Sequence, residues 1–64
     1  MTDMGRVAVN GFDRAALARL RAEQGLTQED LALRVGVGSA AVRSWEAGRS
    51  EPSPKNFVKL LAVL

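Results

Sequence analysis

The segment Gln28 to Ala47, QEDLALRVGVGSAAVRSWEA, leaves this chain few folds to choose from. It reads as two short helices joined by a tight turn. The first is predicted from about Gln28 to Val35. Leu31, Ala32 and Val35 fall at i, i+1 and i+4, one apolar stripe of a 3.6-residue period. Thr27 precedes it as N-cap, its hydroxyl placed to accept an orphan N–H of the first turn. Asp30 at N3 departs from the Glu or Gln of an ideal capping box, yet Glu29 and Asp30 still complement the positive helix end. Gly36 ends the helix, because glycine takes positive φ without a Cβ clash. Val37 then returns to the core. Gly38 opens the second helix, predicted from about Ser39 to Ala47, with Val42 and Trp45 at i, i+3 facing inward. Two helices that cross steeply need a small residue where they cross, here Ala32. They also need an apolar wedge, here Leu31, Val35, Val37, Val42 and Trp45.

The flanks supply two more helices. One is predicted from about Asp13 to Gln24, with Asp13 as N-cap, Gly25 as stop and an inward stripe of Ala16, Leu17 and Leu20. Phe12 sits just before the cap, where it can staple the first turn. Arg14, Arg19 and Glu23 are expected on the outside. After the second helix of the central pair, Gly48 is the stop. Pro52-Ser53-Pro54 makes a rigid turn, with Ser53 as N-cap and Pro54 at N1 of a last helix. Phe57, Leu60, Leu61 and Leu64 are its expected inward stripe. Residues 1–11 show no helical period and are expected to be a flexible tail; residues 12–64 form the domain.

Sixty-four residues make one small domain. A chain of this size buries only about 60% of its unfolded surface, so its core is thin. The absence of cysteine removes disulfides and thiolate metal sites from consideration. Histidine is absent too, and no clustered carboxylates offer a general base or a metal cage, so an enzyme is not expected, nor a cofactor, nor a small-molecule site. No apolar run approaches the ~18 residues a membrane span needs, and no signal-peptide pattern opens the chain. A cytoplasmic protein is expected. Nine basic and seven acidic residues leave a net charge of +2, which permits nucleic-acid binding without demanding it. Where the charge sits therefore matters more than its sum.

The run LRAEQGLTQEDLALRVGVGSAAVRSWEAGRSEPS, Leu20 to Ser53, followed by FVKLLAVL, resembles the helix-turn-helix family of phage repressors and Cro proteins, the XRE family. The block GLTQEDLA…VGV with WEAGR behind it carries the resemblance. It implies an all-α fold: a compact bundle of four to five helices around a central helix-turn-helix, lambda-repressor-like, that binds double-stranded operator DNA as a homodimer at the nucleoid. It implies that Gln28, in the first turn of its helix, reaches a phosphate, and that Arg49, just past Gly48, is a second phosphate contact. It implies that Arg21 pairs with Glu46 and ties the first helix to the third. Some relatives use an N-terminal arm on DNA, for which Arg6 is the one basic residue here. Relatives continue into a fifth helix after a short loop. The chain is therefore expected to be the N-terminal portion of a longer protein, or to pair its last apolar stripe with a second copy.

The outward stripe of the 39–47 helix is Ser39, Ala40, Arg43 and Ala47, with Ser44 at its edge. Arginine can donate two bonds to guanine O6 and N7, so Arg43 is expected at a base edge. Ser39 can bond a base or a phosphate, and Ala40 can touch a thymine methyl. Lys55, in the first turn of the last helix, can meet the same DNA backbone. Two features depart from the family pattern. Gly38 stands where a capping serine is usual, and Ala40 and Ala41 leave the recognition face poor in hydrogen-bonding groups, which shifts weight onto DNA shape. The weak charge and the alanine-rich face also leave a second reading open: a helical module that kept the fold but binds a protein, such as a partner toxin or another regulator.

Overall fold

Four α-helices make up the computed structural model, which describes residues 12–64: α1 (Arg14–Glu23), α2 (Gln28–Val35), α3 (Ser39–Ala47) and α4 (Pro54–Val63). No strand and no fifth helix occurs among the described residues. The expected tail at 1–11, and Arg6 as an arm, lie outside them.

Each helix but one starts where a side chain can take over the orphan N–H groups. The Asp13 carboxylate accepts from the N–H groups of Ala15 and Ala16. The Thr27 hydroxyl accepts from Asp30 N–H at 2.9 Å, and the Asp30 carboxylate accepts from Thr27 N–H at 3.0 Å. The shorter aspartate thus closes the reciprocal box in place of the more usual Glu or Gln. Ser53 accepts from Asn56 N–H at 3.2 Å, with Pro54 opening α4. Gly38 gives α3 no side-chain cap.

The stops are equally local. Gly36 takes φ 87°. The next N–H, of Val37, then returns to Ala32 O at 3.0 Å and swings Val37 back against the core. Gly48 takes φ 81°, with its own N–H bonded to Trp45 O and that of Arg49 to Ser44 O at 3.0 Å. That pair of backward bonds is the Schellman arrangement, which fixes where the chain leaves the helix.

The core is Phe12, Leu17, Leu31, Ala32, Val35, Val42, Trp45 and Leu60. Leu31 and Val42, at 0% exposure, are its centre, and Ala32 is buried with them at 2%. Phe12 does more than staple a turn: it is buried and meets Phe57 edge-on, with ring centroids 6.4 Å apart. Helix α1 packs on α3, and α4 on α2. A shallow apolar groove remains between α1 and α4, lined by Phe12, Leu17, Leu20, Phe57, Leu61 and Leu64.

That packing corrects the expected α4 stripe. Leu60 is buried, and Phe57, Val63 and Leu64 are half-buried, but Leu61 is 64% exposed. Leu61 lies about 100° around the helix from Leu60. With α4 packed on α2 and Leu60 buried, Leu61 is left on the rim of the groove. Leu33 and Val58 are exposed as well.

Candidate nucleic-acid interface

Helix α2 begins with a turn whose N–H groups are only partly claimed by Thr27, and Gln28 is its first residue. The Gln28 side chain is held. Its Nε2 donates to Glu46 Oε1 at 2.9 Å. The same carboxylate receives Arg21 Nε at 2.6 Å on Oε2 and Arg21 Nη2 at 3.1 Å on Oε1. Arg21 completes the set by donating from Nη1 to Leu26 O at 2.8 Å. One carboxylate on α3 therefore joins α1, the α1–α2 turn and the start of α2. Its side chain is 9% exposed and that of Arg21 19%. Burial alone would push the Glu46 carboxyl up. Hydrogen bonds from Arg21 and Gln28, with the charge of Arg21, outweigh it and hold the group below the usual carboxylate range. Arg21 moves the other way, its charged form favoured chiefly by the hydrogen bond to Glu46.

Helix α3 turns Val42 and Trp45 inward, which leaves a solvent-facing stripe. Arg43, Ala40 and Ala47 are exposed on it, with Ser39 and Ser44 half-buried at its margins. The Ser44 and Ser50 hydroxyls lie 2.7 Å apart, so Ser44 is shared with the loop after α3 and keeps only part of its capacity for a ligand. Arg49 and Lys55 are exposed. Among the described residues, no side-chain hydrogen bond or ion pair engages Arg43, Arg49 or Lys55. The structure thus brings Arg21, Gln28 and Glu46 together and leaves the three cations standing apart.

Several contacts escape sequence reasoning, among them three at or beside this face. Arg14 is exposed, as expected of an outer residue, yet its Nη1 donates to Ala47 O at 2.8 Å and ties the start of α1 to the end of α3. The resemblance points Gln28 toward phosphate alone and says nothing of its bond to Glu46. Ser50 carries no signal as a partner of Ser44. These contacts join residues from six to thirty-three positions apart through tertiary placement, and no local pattern encodes them.

Among the described residues, no group of three or more His, Cys, Asp or Glu gathers at one place, and no helix is long and apolar enough to cross a membrane. Two short helices joined by the tight turn at 36–38, the second with Arg43 on its outer face, have the form of a helix-turn-helix. A family model described as helix-turn-helix matches residues 17–64, three quarters of the chain. The chain belongs to the XRE-type helix-turn-helix family, whose members are DNA-binding regulators. No curated protein and no solved structure gives a match.

Proposed function

We propose that this domain binds a specific double-stranded DNA site, as a homodimer, in the service of transcriptional regulation. The observation that carries this reading is the exposed Arg43 on the outer stripe of α3, with Arg49 just beyond the helix and Gln28 at the start of α2. With α3 in the major groove, Arg43 faces guanine O6 and N7. Ser39, Ala40 and Ser44 lie along neighbouring base edges. Gln28, Arg49 and Lys55 hold phosphates and set the register. The domain does no chemistry. It acts by occupying a site, and so blocks or recruits polymerase by position.

One α3 reads only about four base pairs, too few to pick a site in a genome. Two copies on half-sites about 34 Å apart solve this. Selection of bound sites from a random DNA pool tests the whole reading. A near-palindrome with a guanine in each half is the expected outcome. A single half-site bound by one copy would sink the dimer, and a pool with no enrichment would sink specific recognition.

A further inference from the structure

Gln28 and Glu46 belong to different helices. Gln28 starts α2; Glu46 lies in the last turn of α3 and already has Arg21 as a bidentate partner. Yet Glu46 Oε1 takes a further hydrogen bond from Gln28 Nε2 at 2.9 Å. A carboxylate only accepts, so it fixes which end of the amide turns inward: the nitrogen. One N–H of Gln28 is thereby used and one remains to donate. The carboxylate cannot swing to follow the amide, because Arg21 grips it on both oxygens and is itself anchored to Leu26 O. A glutamine side chain on a helix surface ordinarily samples many rotamers, and ordering it on binding costs affinity. Here that ordering is already done.

We infer that Glu46 is a positioning residue for DNA binding, holding the Gln28 amide with its second N–H ready for a phosphate oxygen. The inference rests on the reading that Gln28 meets the DNA backbone. It gives the Arg21–Glu46 pair a task beyond fastening α1 to α3. It also explains how a carboxylate can stand beside an anion-binding side chain: Arg21 neutralises it in place.

The test is a double-mutant cycle on affinity for the selected DNA site, measured well below the melting temperature of every variant. Glu46→Met keeps side-chain length and removes both acceptor oxygens. Gln28→Ala removes the phosphate donor and is expected to weaken binding about tenfold, as loss of one hydrogen bond to a charged group does. Glu46→Met also changes the net charge, but that acts in both backgrounds and cancels from the comparison. Its effect in the wild-type background should be about three- to tenfold more damaging than in the Gln28→Ala background. Equal effects in both backgrounds would make Glu46 a purely structural residue and overturn the inference, with DNA binding intact. If Gln28→Ala costs nothing while Arg49→Ala weakens binding, the Gln28 contact itself is wrong. If the wild-type protein enriches no DNA, the functional reading fails first and takes this inference with it.

Nitrogen relaxation of the Gln28 side-chain amide in the free wild-type protein needs no variant and no DNA. An order parameter near the rigid-backbone value of about 0.85 is expected, and one below about 0.6 would overturn the inference even if Glu46→Met does not fold.

Discussion

Glu46 is the residue on which most local energetics converge. Its carboxyl lies below the ordinary range although burial opposes this, because Arg21 and Gln28 both donate to it. A group whose folded pKa is depressed stabilises the fold above its unfolded pKa, about 4.3 for glutamate, and that stability is lost as pH falls through the folded value. Asp30 shifts in the same direction, through the backbone and then the hydroxyl of Thr27. Thermal melts should therefore be flat from about pH 7 to pH 5 and fall below about pH 4. Glu46→Gln should flatten the acid limb, so that the two proteins converge at low pH. At neutral pH, Arg21→Met and Glu46→Gln should each cost about 1–4 kcal/mol, and the double variant clearly less than the sum. Breaking one side of the pair strands the other, whereas removing both does not. Simple additivity in chemical denaturation would mean that the pair is not coupled in solution.

Among the elements, α3 is held at its far end by a neighbour, through the bond from Arg14 to Ala47 O at 2.8 Å. Gly48 ends it at φ 81°, and a Cβ built there would lie 1.8 Å from Arg14 Nη1, the atom that binds Ala47 O. Gly36 ends α2 at φ 87° with open space around it. Gly36→Ala should then cost only the backbone term, about 1 kcal/mol. Gly48→Ala should cost that and the displaced Arg14 contact, about 1–2 kcal/mol in all. In an Arg14→Ala background the two glycine variants should become equal, and urea midpoints of the four proteins decide it. Equal costs with Arg14 present would mean that its bond to Ala47 contributes nothing. The same contrast marks how far the sequence can be read. Helix ends are legible because Thr27, Asp13, Ser53, Gly36 and Gly48 act within a few residues of themselves. Leu31, Val42 and Trp45 are legible because period alone turns them inward. Leu61 is not, since its face depends on how α4 lies against α2. Arg14 on Ala47 and Gln28 on Glu46 are not, since each needs two helices to be placed before either bond exists.

At the scale of the whole molecule, the net charge is only +2, and what an anionic partner meets depends on where the cations stand; Arg34 and Lys59 are exposed as well. Arg21 is engaged by Glu46, and Arg19 lies 3.7 Å from Glu23 across one helical turn. Both side chains of that second pair are exposed, so it contributes little to stability. Arg43, Arg49 and Lys55 are left on the face proposed to meet DNA. Gln28 adds a hydrogen bond there but no charge, and so releases no counterion. Each half-site should accordingly release roughly two to four counterions, and a two-copy complex roughly twice that, with log K falling at about 0.9 per phosphate neutralised. Arg49→Ala should weaken specific and random DNA alike and lower the slope by about one per copy. Arg43→Ala should cost about 1–3 kcal/mol per half-site on the selected site, far less on random DNA, and relax preference at one guanine. Neither substitution touches the core, so the melting temperature should hardly move, and lost contact can be told from lost folding. Fluorescence anisotropy titrations over a salt series on both DNAs separate the two roles. If Arg43→Ala weakens both DNAs equally, Arg43 is a phosphate contact, and base reading passes to Ser39, Ala40 and Ser44 or to DNA shape. An affinity that does not change with salt would remove the DNA reading altogether.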